Sequence, residues 1–198
     1  MHTACFRRIR RCVRALPSFT CLALLFYYFS LTSAILSLIA ILIHELGHVA
    51  VCRTVTHASP RFSFQSGGFC LTGTAMSEKN SFFFAAGGIA ANGMSALLSP
   101  LVGLLFGRET ALLFCSYSLL YAAFNLLPSP PLDGEKLLLL ALTRFCGEAR
   151  ARRTVRMLSF VTAYILLLLS LFLSLGNGSC LYGVFLAMRL LYAIFCNS

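Results

Sequence analysis

Residues 33–55, SAILSLIAILIHELGHVAVCRTV, decide how the rest of the chain is read. A helix-length apolar run carries His44, Glu45 and His48 close to its C-terminal end. At 3.6 residues per turn the two histidines share one face, one turn apart. Their imidazoles can converge on a single metal ion while Glu45 reaches a water beside it. Ionisable side chains inside an apolar helix are costly and mark function by default. The bland alternative, helix-end residues hydrogen-bonded at a lipid interface, does not explain why that cost is borne three times in five residues.

Composition points the same way. The 198 residues are 59% hydrophobic and only 11% charged, with a mean hydropathy of +0.84. Ordinary globular chains are about 25% charged. Working outward, the apolar stretch Leu16–Arg53 would reach more than about 50 Å as one helix, against a hydrocarbon core of about 30 Å, so it predicts a hairpin turning near residues 30–33. Further spans are expected over 81–106, 111–127, 155–175 and 180–195. A short helix, 134–146, follows the proline-rich break, with Asp133 as its cap. Between them RFSFQSGGFCLTGTA, residues 61–75, alternates and then doubles glycine. It predicts a small membrane-associated β-hairpin with Gly67 and Gly68 near the turn. The expected fold is all-α and polytopic, with about six transmembrane helices plus that hairpin. Its parts are a basic cytoplasmic segment over 1–15, a catalytic membrane core over 16–146 and a C-terminal helix pair over 147–198.

The net charge of +10 does not imply nucleic acid, because it is clustered. Arg7, Arg8, Arg10, Arg11 and Arg14 precede the first apolar run; Arg144, Arg150, Arg152, Arg153 and Arg156 lie between later ones. Clusters beside spans hold loops on the cytoplasmic side and attract anionic lipid. A multi-pass protein of the cell membrane is expected, with both termini cytoplasmic. The basic start resembles a signal peptide, but no Ala-x-Ala site follows, and retention is expected. Nine scattered cysteines without a Cys-x-x-Cys read as small hydrophobes.

A catalytic zinc takes three protein ligands and keeps one position open. Beyond the pair on the helix, the sequence offers His2, His57, Glu78, Glu109, Asp133, Glu135 and Glu148. His57 falls past the expected helix end, and Glu109 falls on the expected outer face. Asp133 sits beside the proline-rimmed break NLLPSPPLDG, residues 125–134, on the same side as His48. That favours it modestly over Glu135 and Glu148.

HELGH in an apolar helix, followed some eighty residues on by NLLPSPPLDG, resembles the site-2 protease family of intramembrane zinc metalloproteases, peptidase family M50. It looks closest to the compact branch that processes a sigma-factor precursor in bacterial sporulation. The family pattern is matched by His44, Glu45, His48, Asn125, Pro128, Asp133 and Gly134. The resemblance implies one zinc per chain held by His44, His48 and Asp133, with Glu45 as general base. It also implies that Asn125 supports the substrate or an oxyanion, and that the Gly67–Gly68 hairpin pairs with an extended substrate. AAGGIAANG, residues 85–93, resembles the family's Ala-Gly-Pro-x-x-Asn segment, with Gly88 in place of the usual proline and Asn92 one place late. The implied partners are a transmembrane protein substrate and the bilayer, with no nucleotide. With no regulatory domain recognisable in the sequence, the reading leaves room for a separate regulatory membrane protein.

Overall fold

The computed structural model describes residues 30–56, 61–65, 68–72, 77–176 and 181–196. In chain order these form α1 (Leu31–Thr56), β1 (Arg61–Gln65), β2 (Gly68–Thr72), α2 (Glu78–Leu97), α3 (Ser99–Phe106), α4 (Arg108–Asn125), α5 (Asp133–Cys146), α6 (Glu148–Gly176) and α7 (Leu181–Cys196). The first arm of the expected hairpin lies outside the described residues. The second begins where expected, with the Ser30 hydroxyl accepting from the Ser33 amide at 3.3 Å.

The six-span expectation is corrected. Among the described residues two helices are long and apolar enough to cross a membrane, Leu31–Val55 and Glu148–Leu175. A third span is reached only if α2 and α3, bent by 46° at their junction, count as one. Pro100 explains the bend. It stands in the first turn of α3, where a proline is tolerated, but it would break the hydrogen bonding of a helix running through from α2. α4 has 18 residues and opens on Arg108 and Glu109, and the apolar part of α7, Gly183–Phe195, is shorter still. Hydropathy alone overcounted because an apolar run fixes neither the length of the helix it forms nor the polar residues that open it. The hairpin of the expected fold class is corrected too. β1 and β2 pair antiparallel, with Phe62 opposite Leu71 and Gln65 opposite Gly68, yet nothing associates this ribbon with a membrane. The cytoplasmic placement of the termini, which leaned on an even number of spans, rests on the arginine clusters alone.

α1, α2 and α4 pack mutually; α5 packs on α2 and α6, and α7 on α6. α1 and α2 cross closely through glycine. A Cβ on Gly47 would lie 2.5 Å from the Gly87 carbonyl oxygen and 2.6 Å from the Ala91 Cβ, so small residues set the separation of the two helices. Gly107 and Gly147, at φ 88° and 79°, end α3 and α5 in a backbone region disfavoured for other residues.

Burial differs from that of a water-soluble protein. The interior mixes Ala34, Ala40, Ala85, Ala122 and Ala163 and a few larger side chains such as Phe114 and Leu190 with the polar His44, Asn92, Ser118 and Asp133. Many large apolar side chains face outward, including Leu104 at 83% and Leu175 at 88% exposure. An apolar exterior of this extent fits lipid rather than water.

The crossing gives a test. Gly47→Ala forces α1 and α2 apart and should cost about 2–3 kcal/mol, lowering the thermal midpoint in detergent by roughly 5–10 °C. Gly93→Ala, with nothing within 4 Å of its added Cβ, should leave the midpoint unchanged or raise it. Equal midpoints for Gly47→Ala and the unmutated protein would contradict this packing.

Candidate metal centre

α1 places His44 and His48 on one buried face, and the break after α4 delivers the third group. Beyond Asn125 the Ser129 amide donates to the Leu127 carbonyl at 2.8 Å and the Leu132 amide to the Ser129 carbonyl at 2.9 Å. The Ser159 hydroxyl of α6 donates to the Pro128 carbonyl at 2.6 Å and pins the loop from outside. Gly134 allows the chain to re-enter the interior, since a Cβ there would collide with the Leu126 carbonyl. Asp133 is not the cap expected from the sequence. Leu132 holds that position, and Asp133 is the first residue of α5, so its carboxylate is free to face α1.

The three donors meet. His44 Nε2 lies 3.0 Å and His48 Nε2 2.9 Å from Asp133 Oδ2, and the two Nε2 atoms are 3.1 Å apart. All three residues are at least 95% buried, and they form the potential metal-binding group among the described residues. Hydrogen bonding does not account for the triangle. His48 Nδ1 lies 2.7 Å from the Phe84 carbonyl; a carbonyl only accepts, so Nδ1 carries the proton. On a neutral ring Nε2 points a lone pair at a carboxylate oxygen; a proton on Nε2 would serve one edge of the triangle, whereas one metal ion would serve all three. Tetrahedral ligands at about 2.0–2.1 Å from one ion stand about 3.3 Å from one another, close to the spacing found. The α2 backbone closes the site. A Cβ on Gly88 would lie 2.6 Å from His48 Nε2 and 2.7 Å from His44 Nε2. The group fits a metal ion.

Around the triangle, Phe84 stacks on His48 with centroids 4.8 Å apart, and Tyr121 meets His44 edge-on at 5.1 Å. Burial pushes the Asp133 carboxyl up, but contacts with His44 and His48 outweigh it and hold the group well below the usual carboxylate range. Lys136 reinforces this from one turn along α5, with Nζ 3.4 Å from Oδ1 and 5.9 Å over the Phe84 ring. Sequence reasoning missed Lys136, although its i+3 position from Asp133 was a usable signal.

Glu45 is half-buried, within electrostatic reach of His44, His48, Asp133 and Lys136. Asn125 ends α4 one turn beyond Tyr121 and donates its amide nitrogen to the Tyr121 carbonyl at 3.0 Å. Its Oδ1 is the atom left for other work. The rival acids go elsewhere: Glu135 lines a small cavity with Pro130, Arg152, Arg156 and Ser159, while Glu148 pairs with Arg152 at 2.7 Å. Gly68 opens β2; Gly67, His2 and His57 lie outside the described residues.

Residues 108–169 match the model of peptidase family M50. Over 93% of this chain and 87% of the other, the structure is similar to the Site-2 Protease from Methanocaldococcus jannaschii, with a TM-score of 0.67 and 17% identity. The chain resembles peptidase family M50 and has the site-2 protease fold. No curated protein matches. The family match spans Asn125 and Asp133 but not HELGH. In this site-2 protease fold it is the packing of α5 against α2, which itself crosses α1, that brings the two stretches together.

Gly88 tests the geometry. Gly88→Ala should weaken metal binding at least about tenfold in a chelator-competition titration, because the added methyl needs the space of the ligand nitrogens. Wild-type affinity in Gly88→Ala would mean that these rings do not hold the ion.

Proposed function

We propose that this chain is an intramembrane zinc metalloprotease, cutting peptide bonds in or near transmembrane segments of membrane-bound substrates. The observation that carries the reading is the buried convergence of His44, His48 and Asp133 beside Glu45, in a protein whose exterior is apolar. His44 and His48 would contribute Nε2 and Asp133 Oδ2, one ion per chain. A zinc ion there would supply Lewis acidity to the attacking water and the scissile carbonyl.

The remaining steps belong to the chain's own residues. Glu45, one residue from His44 and not a member of the donor triangle, takes the proton from the attacking water and returns it to the leaving amine. Burial excludes competing solvent, and Lys136 holds the Asp133 oxygen that faces away from the histidines. Asn125 Oδ1, at the mouth of the proline loop, can accept from a substrate amide. A substrate helix hides its carbonyls in internal hydrogen bonds, so it must unwind locally before the carbonyl can be attacked. The match to a peptidase family and the shared fold support hydrolysis over transport, and transport would favour internal repeats with broken helices in both halves. The arginine clusters support cytoplasmic termini.

Separating the base from the ligands tests the mechanism. Glu45→Gln should keep about one zinc per chain while cleavage of a fused membrane substrate in liposomes falls ~10²–10⁴-fold or more. His44→Ala should lose metal and cleavage together. Wild-type cleavage by zinc-loaded Glu45→Gln would end the metalloprotease reading.

A further inference from the structure

Buried polar atoms are nearly always hydrogen-bonded. Among the described residues five side-chain atoms are buried with no partner: His44 Nδ1, both amide atoms of Asn92, Ser118 Oγ and Ser129 Oγ. Four of the five belong to residues that the helix register gathers behind His44. Asn92 lies on the buried stripe of α2 formed by Ala85, Gly88, Asn92 and Ala96, one turn beyond Gly88. A Cβ on Gly88 would lie 2.7 Å from His44 Cε1, the ring atom bonded to Nδ1. α2 runs antiparallel to α1, with Phe84 at His48 and Gly88 at His44, so Asn92 continues past His44 on the side away from His48. Ser118 lies one turn before Tyr121, whose ring packs edge-on against His44, on the buried face of α4 that also carries Phe114 and Ala122. Asn92 and Ser118 are both 0% exposed, in the interface where α1, α2 and α4 meet.

The two histidines therefore differ in support. His48 gives its Nδ1 proton to the Phe84 carbonyl, whereas His44 Nδ1 has no such partner. A metal-ligating histidine almost always donates its other ring nitrogen to a carboxylate, a carbonyl or a water, which fixes tautomer and direction. We propose that His44 Nδ1, Asn92 and Ser118 share one internal water, and that Asn92 and Ser118 are the positioning residues of the His44 ligand. The water accepts from Nδ1–H and donates to Asn92 Oδ1 and Ser118 Oγ, giving it the two to four polar partners that a buried water needs. The Nε2 lone pair is thereby kept for the metal. The inference rests on the metal-centre reading above and adds an outer layer that neither HELGH nor the aspartate motif contains.

The competing account is that Asn92 and Ser118 are only polar glue between helices. Asn92→Leu keeps the branched shape of the side chain and removes its polar atoms. On the competing account the variant changes the stability of the metal-free protein and leaves zinc affinity unchanged. Only the proposal requires metal binding to weaken. Zinc affinity of the full-length protein, measured by chelator competition, should fall by roughly 10–100-fold in Asn92→Leu and in Ser118→Ala. The visible spectrum of the Co²⁺-loaded protein should change in both, and the double variant should lose less than the product of the two single losses. Asn92→Asp restores an acceptor and should bind at least as tightly as wild type. Wild-type zinc affinity and an unchanged Co²⁺ spectrum in Ser118→Ala and Asn92→Leu would overturn the proposal while leaving the metal centre standing. Failure of the wild-type protein to bind zinc or Co²⁺, with His44→Ala no different, would overturn both.

Discussion

The approach of one carboxylate to two imidazoles, from Asp133 back to His44 and His48 and inside an apolar bundle, is the constraint on which the rest depends. Asp133 Oδ2 stands about 3 Å from both Nε2 atoms, and without a cation the three would repel or trap a single proton. Everything nearby makes room for that meeting. The proline loop ends α4 and turns the chain back, and Ser159 anchors the loop from α6. Gly134 lets α5 start against the Leu126 carbonyl, and Gly88 brings the α2 backbone onto the imidazoles. These glycines stand where backbone must approach backbone or ligand, which makes them part of the site as much as the donors are.

A polar centre of this kind is expensive, and the distribution of side chains shows how the fold accommodates it. Alanine and glycine fill the helix crossings while leucine and phenylalanine face out. In lipid the exterior loses nothing by being apolar, and close packing through small residues replaces the hydrophobic drive that holds a soluble core together. The buried interior can then hold histidine, asparagine, serine and aspartate beside its apolar residues.

Much of the centre was legible in the sequence, and for a physical reason. The i, i+4 spacing of His44 and His48 fixes their common face on any helix, and ionisable residues in an apolar run stand out by cost. The third donor was only weakly legible, because nothing local separates Asp133 from Glu135. The structure separates them: one faces α1, the other a cavity beside Arg152. Tertiary proximity also hid Lys136, and no spacing rule would have joined Asn92 and Ser118 to His44. The helices were legible as helices, with α1 beginning and ending within two residues of the expected 33–55. The count of spans was not, since hydropathy measures how apolar a helix is and not what it touches. Pro100 could have warned that residues 81–106 are not one straight rod.

The most direct measurement is X-ray absorption at the zinc edge on the metal-loaded protein. The account predicts nitrogen and oxygen scatterers at about 2.0–2.1 Å, with outer-shell scattering from two imidazoles that drops to one in His48→Ala and a first shell that changes in Asp133→Asn. Sulfur at about 2.3 Å, or a spectrum indifferent to both substitutions, would contradict it.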